Sequence, residues 1–186
     1  MPLLTARLQL GGKAAALMLL LLGWCAQLRA ETPAEREYAL KAACLFNFCQ
    51  FITWPADAFD SPSAPIVIGV LGTDPFGAVL DAMVRGESIR GRQIRIIRYR
   101  RVDEALNSHL LFISASESAR LNFILRAVQG RRIVTIGEND DFLDEGGMIA
   151  LAAVENRVRL RIKLSAIRGG GVSVSSKLLR VADIVP

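Results

Sequence analysis

His109 is the only histidine in the chain, so any imidazole-dependent triad or proton transfer must pass through it. Ser108 precedes it and Ser114 follows, but no Gly-x-Ser-x-Gly elbow is present to expose a serine nucleophile. A structural histidine at a strand end is therefore preferred over a hydrolytic one. Metal binding is weaker still, because one His with Cys44 and Cys49 gives no zinc spacing. Asp140, Asp141, Asp144 and Glu145 could supply general acid–base chemistry or calcium ligands. Their spacing misses the alternating calcium loop, and a solvated acidic loop reads better.

Two further constellations could bind. Gly69-Val-Leu-Gly72-Thr-Asp-Pro-Phe-Gly77 joins a strand to a helix, where α/β proteins often hold ligands. It lacks dinucleotide spacing and a Walker lysine. Asp74 reads as a cap with Pro75 at the first helical position, and a small anionic ligand at that helix start is the alternative. Arg157, Arg159 and Arg161 alternate, so they project from one strand face, and Lys163 continues the row. That row is either a solvated basic face or a docking surface for an acidic partner or anionic ligand. No catalytic constellation emerges, and no cofactor is implied.

These residues must be positioned by elements that the hydrophobic pattern reveals. Thr32 to Pro55 opens with capping signals at Thr32, Pro33 and Glu35, and closes at Trp54 before a proline. Its length predicts a helix on the order of 30 Å. Leu45, Phe48, Cys49 and Ile52 form an apolar stripe. Lys41, Asn47, Gln50 and Thr53 are the polar exceptions, the positions from which this helix could recognise a partner. Apolar runs at 66–71, 109–113 and 132–136 read as buried strands, with Ile94–Tyr99 as a strand near an edge. Helices are expected from Pro75 to Val84 and from Ser114 to Val128. Met148–Ala152 and Arg157–Lys163 form a hairpin around Glu155-Asn156, and Ser175–Ala182 closes the chain as a short helix or extended segment. The fold class is α/β, a three-layer sandwich with a mixed, mostly parallel central sheet and helices on both faces.

Residues 1–30 read as a secretory signal peptide, with Arg7 and Lys13 before an apolar run and a small-residue cleavage point near Ala30. An uncleaved anchor is the alternative. Residues 31–186 then form one exported domain. The first thirty residues carry Arg7, Lys13 and Arg29 and no acid, which leaves 20 basic against 18 acidic residues, a charge of +2 rather than +5. So small an excess does not point to nucleic acid. Cys44 and Cys49 lie five apart on one helix, too far to bridge, so no disulfide is expected.

Several blocks together resemble the YfiR-like family. EYALKAACLFNFCQFITWP is similar to its first block, with Tyr38, Lys41, Ala42, Asn47, Phe51, Trp54 and Pro55 at matching positions. GVLGTDPFG (69–77), SHLLFIS (108–114), GGMIAL (146–151) and SSKLLRVA (175–182) follow in the family's order. The resemblance implies a non-enzymatic periplasmic protein, often dimeric, that binds the periplasmic sensor domain of a membrane diguanylate cyclase. It would hold that cyclase inactive, influencing cyclic-di-GMP, biofilm formation and motility. Two departures stand out. Ser108 replaces a cysteine that many members carry before the histidine, and VRLRIK (158–163) replaces a pattern closer to V-R-F-E-I-N. Contact candidates are Tyr38, Lys41, Asn47, Trp54, Asp74, Arg157, Arg159 and Arg161. A periplasmic small-ligand sensor is the second reading, and a hydrolase using His109 the third.

Overall fold

Ile66–Leu71 is a short apolar run without a polar face, and such runs are stable where both faces of a strand are covered. The computed structural model describes residues 32–139, 141–154 and 157–186. The expected signal peptide, Asp140 and the turn at Glu155-Asn156 lie outside the described residues. In chain order the elements are α1 (Pro33–Phe51), β1 (Ile52–Thr53), β2 (Ile66–Leu71), α2 (Ala78–Val84), β3 (Ser88–Ile89), β4 (Arg92–Tyr99), β5 (Leu110–Ile113) and α3 (Leu121–Val128). They continue as β6 (Val134–Gly137), α4 (Asp141–Asp144), β7 (Ile149–Val154), β8 (Arg157–Lys163), α5 (Leu164–Gly169), β9 (Ser173–Val174), α6 (Ser176–Leu179) and β10 (Asp183–Val185).

The main sheet runs β10-β8-β7-β6-β5-β2-β4-β3. The β7–β8 and β3–β4 pairs are antiparallel and the other neighbours parallel, as the alternation of apolar strands with helices implies. Helices cover both faces, which gives the expected three-layer α/β sandwich. On one face Ala42, Leu45, Phe48 and Cys49 of α1 pack with Ile68, Val70, Phe112, Ile136 and Ile162. On the other, Ile124, Leu125 and Val128 of α3 pack with Leu71, Leu111 and Ile113. Gly69 is needed at its position: a Cβ there would lie 2.5 Å from Ser108 Oγ and 2.9 Å from the Tyr99 ring.

The structure corrects several boundaries. The first helix ends at Phe51, because Ile52 and Thr53 turn extended and pair with Val174 and Ser173. Arg90 caps the freed carbonyls, donating to Ile52 O at 3.2 Å and Gln50 O at 3.0 Å. The second helix starts at Ala78, three residues after Pro75. Phe76 has to enter the core between Tyr38 and Phe112, which pulls the loop off a helical path. Residues 86–93 contain the hairpin strand β3 and the start of β4, and 175–182 holds a short helix before the strand β10, which the sequence did not suggest. Cys49 is buried and donates to Leu45 O, and burial pushes its thiol up to about 12.

Leu45 is fully buried at the centre of the α1 contact. Leu45→Ala should cost about 2–5 kcal/mol of unfolding free energy in urea titrations. A loss below about 1 kcal/mol would remove α1 from the core as drawn here.

Candidate functional site

Parallel sheets place loops, and therefore ligand sites, at the carboxyl ends of strands where the winding direction reverses. Here the chain leaves β2 towards β4, while β5 lies on the opposite side of β2. The loops after β2 (from Gly72), β5 (Ser114–Glu117) and β6 (Glu138) meet at that point. The loops after β5 and β6 border a crevice of about 240 Å³ lined by Ser114, Ser118, Glu138, Asp141 and Glu145 among others.

α1 reaches the same place. Lys41 is only 2% exposed, and its Nζ pairs with Glu138 Oε2 at 2.7 Å and Glu37 Oε1 at 2.6 Å. The Glu138 side chain is 8% exposed. Its Oε2 also accepts from the Tyr38 hydroxyl at 2.9 Å, and its Oε1 from the Ala115 N–H at 3.3 Å. Burial, followed by the hydrogen bond to Glu138, drives the Tyr38 hydroxyl well above its ordinary pKa, so it stays a donor. Tyr38 packs edge-on against Phe76, which contacts Phe112 in the same way.

The Gly72–Gly77 loop is occupied by protein groups. Gly72 has φ +92°, and a Cβ there would meet Ser116 and Glu117. The Thr73 N–H donates to Ser116 Oγ at 2.9 Å, and the Phe76 N–H to Asp74 Oδ1 at 2.7 Å. Asp74 is also paired with Arg98, which reaches Asp81. The hydrogen bond from Arg98 is the main reason that the Asp81 carboxyl is held below the usual range. Two N–H groups ahead of α2 are thus engaged by protein acceptors, and Asp74 is held between Phe76 and Arg98.

His109 lies at the other end of β5. Its Nδ1 accepts the Val67 N–H at 3.1 Å, which leaves the proton on Nε2 to be donated to Ala58 O at 3.2 Å. The ring stacks on Phe59 at 4.4 Å and meets Trp54 edge-on at 5.7 Å. Nδ1 thus holds the start of β2 and Nε2 ties the loop after α1 to the sheet, and neither is offered to Ser108 or Ser114.

The sequence candidates separate accordingly. Lys41 and Trp54 are buried, Tyr38 and Asp74 are half-buried, and Asn47 is exposed. Arg157, Arg159 and Arg161 occupy alternate positions of β8, the first two exposed and the third half-buried. Arg159 lies 3.6 Å from Asp183 of the edge strand β10. Val154, Val181 and Ile184 are exposed apolar residues of the same region, Val181 at 73%. Sequence reasoning missed Glu138. Its only signal is indirect: Lys41 falls four residues before Leu45 on the buried stripe, and a lysine there needs a carboxylate.

Two outcomes follow. Lys41→Ala should destabilise the fold by roughly 3 kcal/mol, since it strands Glu138, while Lys41→Met combined with Glu138→Leu should recover most of the loss. Urea midpoints check this, and equal losses in both variants would contradict it. His109 has its pKa lowered, mainly by burial. The unfolded chain binds a proton near pH 6.5 that the native state resists, so stability should be full above that pH and decline as pH falls. Denaturation between about pH 7.5 and 5.5 should show this slope in the wild type, and a shallower one in His109→Gln.

Among the described residues no helix is long and apolar enough to cross a membrane. No curated protein matches the chain. Among the solved structures that match, two share low identity with the chain. One is a conserved domain protein from Vibrio cholerae O1 biovar eltor, at TM-score 0.47 and 10% identity, covering 65% of this chain and 55% of that one. The other is an ABC domain in complex with L-Trp from Streptococcus pneumonia, at 0.46 and 8%, covering 64% and 55%. The chain thus spans little more than half the length of either. The model of the YfiR/HmsC-like family matches residues 38–183, nearly the whole sheet and both helical layers. This chain belongs to that family.

Proposed function

We propose that this protein is an exported, non-enzymatic regulator that represses a membrane-bound diguanylate cyclase by binding its periplasmic sensor domain. Its action lowers cyclic-di-GMP and so influences biofilm formation and motility. The single observation that carries this reading is the family match across residues 38–183. The engagement of both His109 nitrogens by backbone groups supports interaction over hydrolysis. Export by a cleaved signal peptide and a homodimeric state complete the proposal.

The surface best suited to contact is the end of the sheet formed by β8 and β10. Exposed Arg157 and Arg159 stand there beside Val154, Val181 and Ile184, a mixture of apolar area with cationic donors that suits an acidic, partly apolar partner face. Exposed Asn47 on α1 is a second contact candidate.

Calorimetric titration of the exported form with the periplasmic part of a cyclase encoded beside it tests the reading. A complex in the micromolar range or tighter is expected, and Arg159→Glu should weaken it about tenfold or more without moving the melting temperature. No complex at tens of micromolar would overturn the proposal.

A further inference from the structure

The amino ends of the strands hold a second cleft, opposite the crevice at Glu138. It encloses about 430 Å³ and is bordered by Val67, Ser108, His109, Ile133 and the loops around Asp57–Pro65 and Gly130–Arg132. Three arginines line it, Arg95, Arg131 and Arg132, against two carboxylates, Asp57 and Asp60. Arg132 is paired with Asp57. Arg95 and Arg131 are exposed, and their guanidinium groups have no carboxylate or hydrogen-bond partner among the described residues. Once the Arg132–Asp57 pair is set aside, two guanidinium groups face Asp60 alone.

Ser108 backs the inner wall and is 4% exposed; its Oγ lies against Gly69, so the donors that a ligand in the open cleft would meet are the guanidinium groups at its rim. Guanidinium groups suit planar or tetrahedral oxyanions because their N–H donors form a fixed fork. The cleft is too polar for an apolar ligand and carries too few acids for a cation.

We propose that this cleft binds a small molecule bearing an oxyanion, a phosphate ester or a carboxylate, held by Arg95 and Arg131 above Ser108. The site is independent of the partner surface at β8 and β10. It lies beside the loop that His109 fixes to the sheet, so occupancy would bear on that loop directly.

The test is an NMR titration of the exported protein with inorganic phosphate and, separately, with succinate, both at constant ionic strength. Saturable shifts of the Asn107, Ser108 and Arg131 amides are expected with at least one of them, and which anion saturates assigns the ligand chemistry. Combining Arg95→Ala with Arg131→Ala should weaken binding about tenfold or more while leaving the melting temperature unchanged. If the double variant unfolds, Arg131→Gln alone should weaken binding and serves in its place. Shifts that never saturate with either anion, or saturation that the arginine variants leave intact, would overturn the proposal.

Discussion

An ammonium group enclosed by protein must be matched by negative charge, because removing it from water unpaired costs far more than one helix contact returns. Lys41 imposes that constraint on this fold. The face of α1 that buries Leu45, Phe48 and Cys49 also buries Lys41, whose ammonium is met by Glu37 on the same helix and by Glu138 at the end of β6. The pair with Glu138 sets the helix in register along the sheet. Tyr38 then meets both Phe76 and Glu138, and Trp54 arrives over His109. The apolar stripe supplies most of the stabilisation, while the charge decides the placement.

The same view changes the meaning of the family pattern. Tyr38, Lys41, Ala42 and Trp54 mark the chain as a family member, yet all four are turned at least partly inward. The pattern therefore records how α1 is seated on the sheet more than which surface is offered to a partner. The exposed positions lie elsewhere: on β8 Arg157 and Arg159 are exposed, whereas Arg161 and Lys163, which stand in place of an acid and an amide, are half-buried. A shared scaffold with a differently charged strand is compatible with members that read different partner faces.

Much of the architecture was legible because its signals are local. The bounds of β2 and β8 coincide with their expected spans, since one is an apolar run closed by Pro65 and Gly72 and the other alternates strictly. The end of α1 was misplaced because the competing structure is remote: Ile52 and Thr53 become extended through Val174 and Ser173. Two or three residues carry no periodicity, so β1, β9 and β10 had no sequence signature of their own. Within the site, Asp74 and His109 were visible as residue types in loops and strand ends. Glu138 was not, because nothing nearby announces a carboxylate whose partners lie 97 and 100 residues away.

The ribbon of β1 and β9 has a consequence for how the chain folds. It joins residues 120 positions apart, with Ser173 donating to Thr53 O and the Ser175 N–H to Phe51 O. Closing a loop of that length costs about 4 kcal/mol of chain entropy before any contact is made. The C-terminal end of α1 therefore cannot be locked until almost the whole sheet sequence is present. A chain that emerges amino end first keeps this helix unsettled while β2 to β8 follow. Late closure of the ribbon thus delays tight folding until nearly the whole chain is available.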